Sequence, residues 1–199
     1  MVADRPYHHG NLRAALLRQA ERTLRDQGLD RLSLRELARQ VGVSHGAPRR
    51  HFADRQALLD ALAEAGFARL GAELRGAVDG AGEDYEARLR ATAAAYVRFA
   101  VNDAALLELM FAGKRQEQES GALHEAADRA FSVILELIRQ GQAGGMLEGG
   151  EPERVGLLLF ATMQGIAALV SAGLVDTDHV DGLVADAIGQ FLHGPRALA

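Results

Sequence analysis

Apolar residues recur at helical spacing along almost the whole chain. Leu12, Leu16, Ala20 and Leu24 repeat every four positions, with Ala15 and Thr23 beside them. This is one face of a helix, and Gly28 stops it. Leu29 and Leu32 then form a short link in which both are expected to pack. Leu34, Leu37, Ala38 and Val41 give the i, i+3, i+4, i+7 face of a second, shorter helix. Ser33 is a good N-cap for it, and Glu36 three residues on completes a capping box. Gly42 supplies the left-handed residue that a tight turn needs, and Val43 is an apolar plug behind it. Ser44 is the expected cap of a third helix and Phe52 its expected core anchor. From a further N-cap at Asp54, a longer helix carries Leu58, Leu62, Leu70 and Leu74 and frays around Gly76, Gly80 and Gly82.

The same period continues toward the C-terminus. Leu89, Ala93, Tyr96, Val97 and Ala100 share a face. A break at Asn102-Asp103 precedes a short apolar piece from Ala104 to Phe111. Residues 113–121 read as a polar loop. Ala127, Phe131, Ile134, Leu135 and Ile138 form the next face, and the glycines from Gly141 to Gly150 mark a connection. Residues 151–175 and 180–192 are the last two helices. No alternating run of Val, Ile and Thr is long enough for a sheet, and the good helix formers Ala, Leu, Arg and Glu dominate. The expected fold is all-α, with about nine helices.

Composition narrows the chemistry. The absence of cysteine excludes disulfides, thiolate zinc sites and cysteine catalysis. The N-terminal MVADRPYHHGNLRA has no apolar core of a secretory signal, so a cytoplasmic location is expected. The net charge of −5 hides an asymmetry. Residues 1–55 hold 11 Arg against 6 acidic residues, and the remainder holds 11 Lys or Arg against 21 acidic residues. A basic head on an acidic body suggests contact with a polyanion at the head.

The head has the layout of a helix-turn-helix. In SLRELARQVGVSHGAPRRHF the first short helix braces, Gly42 turns, and the next segment enters the groove. That segment reads Ser44, His45, Gly46, Ala47, Pro48, Arg49, Arg50, His51. Gly46 and Ala47 permit close approach to base edges, Arg gives a bidentate pair to guanine, and Ala touches a thymine methyl. Ser33 and Arg55 lie at helix N-termini, which favour phosphate. Arg35 completes the expected DNA-binding set. Pro48 disfavours helical geometry at Ala47, so the recognition helix begins late or with a tight first turn.

Residues 7–67 resemble the DNA-binding domain of the tetracycline-repressor (TetR) family of bacterial regulators. The resemblance rests on Leu34-Arg35-Glu36-Leu37-Ala38, Val41-Gly42-Val43-Ser44, Arg50-His51-Phe52 and Asp54-Arg55-Gln56-Ala57-Leu58-Leu59. Tyr7-His8-His9-Gly10-Asn11-Leu12 is similar to a signature of one branch of that family. Many members have Tyr where this chain has Arg49, so Arg49 either keeps a phosphate contact or reads a base. The resemblance implies a three-helix DNA-binding domain over residues 1–55 and a helical effector-binding and dimerisation bundle over residues 56–199. It implies a homodimer on a palindromic operator in double-stranded DNA, released by a small-molecule effector, with repressor favoured over activator.

For the effector site the candidates are Phe67, Phe99, Met110 and Phe111, together with Phe131, Phe160, Met163 and Gln164. Gln164 is the most telling, because a polar group inside an apolar run wants a hydrogen-bond partner. The apolar set points to an uncharged or weakly polar effector. His124 is expected at the surface or at a cap.

Between Arg154 and Asp176 lie 21 uncharged residues, long enough to span a bilayer. Thr162, Gln164, Ser171 and three glycines within it, and the lack of basic or aromatic anchors beside it, favour a helix buried on most sides of a bundle. A helix apolar all round must cover two faces. The resemblance implies that the second is covered by a partner chain, because the family's last two helices pair with their copies. An enzyme is not expected, since no nucleophile elbow, phosphate loop or HExxH is present and His8-His9 lacks a carboxylate partner. No cofactor or metal is expected. The alternatives are a constitutive or architectural DNA-binding protein without an effector, and a membrane-tethered regulator.

Overall fold

The computed structural model describes residues 9–112, 121–147 and 149–193, with side chains from residue 12 onward. Tyr7, His8, the side chains of residues 9–11 and most of the expected polar loop lie outside the described residues. Among the described residues there are eight α-helices and no strand: α1 (His9–Gln27), α2 (Leu34–Val41), α3 (Arg55–Gly80), α4 (Tyr85–Asn102), α5 (Ala104–Ala112), α6 (Gly121–Ala143), α7 (Pro152–Ser171) and α8 (Val180–His193). Short 3-10 turns cover Leu29–Arg31, Pro48–Arg50 and Thr177–His179. The helix expected to start at Ser44 is the 3-10 turn at Pro48, which accounts for the count below nine.

The chain packs as two units. The first holds residues up to Gly66 together with Ala105–His124, and the second holds Phe67–Ala104 and the chain from Glu125 onward. The packing therefore does not divide at Arg55. The first turns of α3 bury Leu58, Leu59 and Leu62 with the N-terminal helices. In the same unit Gly66 of α3 lets Met110 of α5 approach so closely that a Cβ would meet its sulfur at 2.7 Å.

In the first unit, Leu12, Leu16, Ala20 and Leu24 of α1 are buried, as are Leu37 and Ala38 of α2. Thr23 Oγ1 and Gln19 Nε2 both donate to Gln40 Oε1 at 3.1 Å, pinning the two helices together. Ser33 caps α2 by accepting the Glu36 N–H at 3.2 Å. Gly42 ends α2 at φ 77°, where a side chain would be strained. Asp54 caps α3 through the Ala57 N–H at 2.9 Å. Leu32 is buried, but Leu29 is exposed, contrary to expectation. Its carbonyl instead takes a hydrogen bond from Arg55.

In the second unit, α4 packs on α7 and α8. Tyr85 donates to the Leu137 carbonyl at 3.1 Å, and burial pushes its phenol up to about 12. Gly141, expected in a connection, lies inside α6; a Cβ there would run into the Tyr85 hydroxyl, so the glycine serves close approach. The break at Asp103 has a partner: its carboxylate holds Arg69 at 2.7 Å, with that guanidinium 4.8 Å above the Phe99 ring. α7 is long and apolar enough to cross a membrane, yet only 28% of its apolar window is buried. It is covered on one side only. Gly156, Leu159, Met163, Ile166, Ala167 and Val170 face the core, while Leu157, Leu158 and Leu169 are exposed. The expected burial on most sides is absent because nothing among the described residues covers the opposite face.

Candidate nucleic-acid interface and interior cavity

The expected contact residues lie on the outside of the first unit. Ser33, Arg35, Ser44, His45, Gly46, Arg49, Arg50 and Arg55 are exposed, and Ala47 and His51 are partly so. Pro48 is the buried member of the octet after Val43. Local hydrogen bonds explain its shape. Proline has no N–H to give. The segment closes by short steps instead, with Ala47 N–H to the Ser44 carbonyl at 2.9 Å and Arg50 N–H to the Ala47 carbonyl at 3.2 Å. The His51 and Phe52 N–H groups then share the Pro48 carbonyl, at 2.9 and 3.0 Å. Ser44 contributes its carbonyl and makes no side-chain cap to the 3-10 turn, unlike the expectation. Phe52 is 2% exposed and lies under the Arg13 guanidinium at 5.5 Å, so the segment is anchored at both Pro48 and Phe52.

The arginines divide by what they touch. Arg35, Arg49 and Arg50 have no ion pair among the described residues. Arg39 is held by Glu36, whose carboxyl that guanidinium keeps below the usual carboxylate range. Arg55, expected to meet phosphate, instead donates Nε to the Leu32 carbonyl at 2.9 Å and Nη2 to the Leu29 carbonyl at 2.7 Å. It braces the link before α2 against the start of α3. The Ser33 hydroxyl is likewise engaged in its cap.

The second unit contains an interior cavity of about 10 Å³, the space one water needs. Its lining includes Phe160 and Met163 of the expected set. Gln164 is next to it and accepts a 2.5 Å hydrogen bond from the Tyr96 hydroxyl. Phe67, Phe131, Phe160 and Tyr96 form a chain of edge-to-face rings with centroid separations of 6.2, 5.6 and 5.4 Å. Phe99 is buried beneath Arg69 and does not line the cavity. Met110 and Phe111 belong to the first unit, and His124 is exposed. Sequence reasoning placed Tyr96 on the α4 face but missed it and Thr92 as cavity groups. The available signal was their i, i+4 spacing as polar-tipped residues on an otherwise apolar face.

Comparison with known proteins fits this geometry. Residues 16–62 match the model described as "Bacterial regulatory proteins, tetR family", and residues 89–191 match "Tetracyclin repressor-like, C-terminal domain". The chain belongs to the TetR family. This TetR-family transcriptional regulator is 47% identical over 53 residues to tetracycline repressor protein class C of Escherichia coli. That stretch is 27% of the chain and 24% of the repressor, so the match spans about a quarter of that relative. A protein of unknown function from Rhodococcus sp. RHA1 superposes with a TM-score of 0.89 at 46% identity, over 96% of this chain and 98% of that one. The TetR family transcriptional regulator PfmR from Thermus thermophilus superposes at 0.68 over 92% and 96% of the two chains. At 16% identity it shares the fold alone.

Proposed function

We propose that this regulator is a cytoplasmic repressor that binds a palindromic operator as a homodimer and leaves it when a neutral small molecule enters the second unit. The observation that carries the DNA reading is the segment Ser44–Arg50. It is exposed, pinned from beneath by Pro48, and bears two arginines with no acidic partner among the described residues. Arg49 and Arg50 supply bidentate donors, Gly46 and Ala47 permit close approach, and His45, Ser44, His51 and Arg35 flank them. Ser33 and Arg55 support the interface from behind, through the bonds described above. Functionally, residues 1–55 form the reading head and residues 56–199 carry the effector and dimer faces.

Two heads are needed, because one short segment reads too few base pairs for an address. The uncovered apolar side of α7, with Leu183 of α8, offers the surface for a twofold pair. The effector reading draws on the cavity between α4 and α7, whose lining carries no charged side chain. Selection of bound fragments from a random duplex library tests the whole proposal. A palindromic consensus with half-sites about one helical turn apart is the expected outcome. Binding of all sequences alike, with affinity set by salt alone, would leave an architectural protein instead.

A further inference from the structure

We propose that Arg13 of α1 is a further DNA contact, a cation that Phe52 holds against a backbone phosphate beside the C-terminal end of the segment Ser44–Arg50. The proposal rests on the DNA reading above and adds to it a residue that strengthens binding without reading sequence.

Helix α1 carries four arginines, Arg13, Arg18, Arg22 and Arg25, and all four are exposed. They do not share a face. At about 100° per residue, Arg18, Arg22 and Arg25 lie at least about 120° round the helix from Arg13. Arg25 is also engaged by Glu21 at 3.3 Å. Arg13 has different company. Its guanidinium lies over the Phe52 ring, 5.5 Å from the centroid, and makes no hydrogen bond or ion pair among the described residues. Phe52 is a firm support. It is 2% exposed, and its N–H bonds the Pro48 carbonyl at 3.0 Å. Pro48 opens the 3-10 turn that bears Arg49 and Arg50. The Arg13 charge is therefore tied, through one ring and one hydrogen bond, to the turn that presents the two outward arginines.

A segment lying in the major groove has phosphates on both sides, and the elements beside it meet backbone instead of base edges. A guanidinium over a ring uses its flat face in that contact and keeps its edge N–H donors for a phosphate oxygen. The stack also restricts the side chain before DNA arrives, so less freedom is lost on binding. Arg55 supplies the contrast. Its donors are taken by the Leu29 and Leu32 carbonyls, whereas those of Arg13 are free among the described residues. Sequence spacing alone did not single out Arg13, because nothing local links it to Phe52; the packing of α1 against the segment does.

Salt dependence separates a phosphate contact from a structural stack. The full-length protein is titrated onto two duplexes of equal length, the palindrome obtained by selection and a scrambled sequence, over a series of salt concentrations. In Arg13→Gln the affinity should fall about three- to tenfold per bound head on both duplexes, leaving their ratio as in the wild type. The slope of log affinity against log salt should become shallower by about 0.9 per bound head. Arg13→Lys keeps the charge and should keep the slope. Urea unfolding is followed in parallel. A loss of stability with an unchanged slope would make the stack structural and overturn the proposal. A loss on the palindrome without one on the scrambled duplex would make Arg13 a base contact and overturn it equally, as would a shallow slope in Arg13→Lys. A wild type without salt-dependent binding to either duplex removes the DNA reading and this proposal together. A wild type that binds, with Arg13→Gln unchanged in slope, removes this proposal and leaves the DNA reading standing.

Discussion

Arg49, Arg50 and Arg55 are the same residue type within seven positions, yet they have different surroundings. Arg55 has two donors on main-chain carbonyls, while Arg49 and Arg50 face water. Replacing either outward arginine by alanine should weaken operator binding by about 1–3 kcal/mol with little change in stability. Arg55→Ala should act first on the fold, lowering unfolding free energy by about 1–2 kcal/mol, because the Leu32 and Leu29 carbonyls each lose a charged donor, Leu29 keeping only the Leu32 N–H. Fluorescence anisotropy on operator DNA and urea unfolding separate the two effects; equal losses of stability in all three variants would contradict this division. Tyr85 gives a pH test. Its phenol is raised from 10.0 to about 12, so the fold favours the neutral form. The stabilisation is complete below pH 10 and is lost as pH rises toward 12, because the unfolded chain ionises first. Between pH 9 and 11 the wild type should lose about 1 kcal/mol more than Tyr85→Phe, read from urea midpoints.

At the scale of elements, the boundaries set by a single local interaction were legible in the sequence. Ser33, Gly42 and Asp54 each fix a helix end within a few residues and the structure shows all three in place, but the expected capping box is only half formed, because the Glu36 carboxylate accepts from Arg39 and Gln40 and not from the Ser33 N–H. Gly42→Ala should cost about 1 kcal/mol, since φ is 77° there and a Cβ has open space but the wrong backbone. Thermal unfolding checks this; a neutral result would mean the turn relaxes. The segment after Val43 was legible as an exposed, cationic stretch but not as a conformation. Pro48 signalled a tight turn, yet only the packing shows that the ring is buried and that no regular α-helix forms. The cavity was the least legible part. Phe67, Phe99 and Phe131 occupy helix faces that look alike in sequence, and whether a ring lines a void or fills the core depends on which helix lies opposite. Gln164 was visible as a polar residue in an apolar run, but its partner Tyr96 lies 68 positions away and no local pattern links them.

At the scale of the molecule, the two faces of α7 argue for a second copy of the chain. Its inner face is filled by residues of its own unit. Its outer face carries Leu157 at 64% and Leu158 at 58% exposure, followed by Ala161, Gly165, Ala168, Leu169 and Ala172 at spacings of three and four. Small residues in the middle of such a stripe let two helices approach closely, and the leucines at its start supply apolar area. A solvated surface of this kind is a liability unless it is covered. A membrane would cover it too, but α7 presents its other side to α4 and α8 of the same unit, so a bilayer-spanning pose would strip those contacts. The proposed twofold pair would cover the stripe and keep the core intact. Leu157→Glu combined with Leu158→Glu should therefore turn the dimer into a monomer in sedimentation equilibrium while far-ultraviolet circular dichroism stays helical. Operator affinity should fall by a factor of about a hundred or more, since each head then binds its half-site alone. If the double variant remains dimeric, the chains meet through another surface.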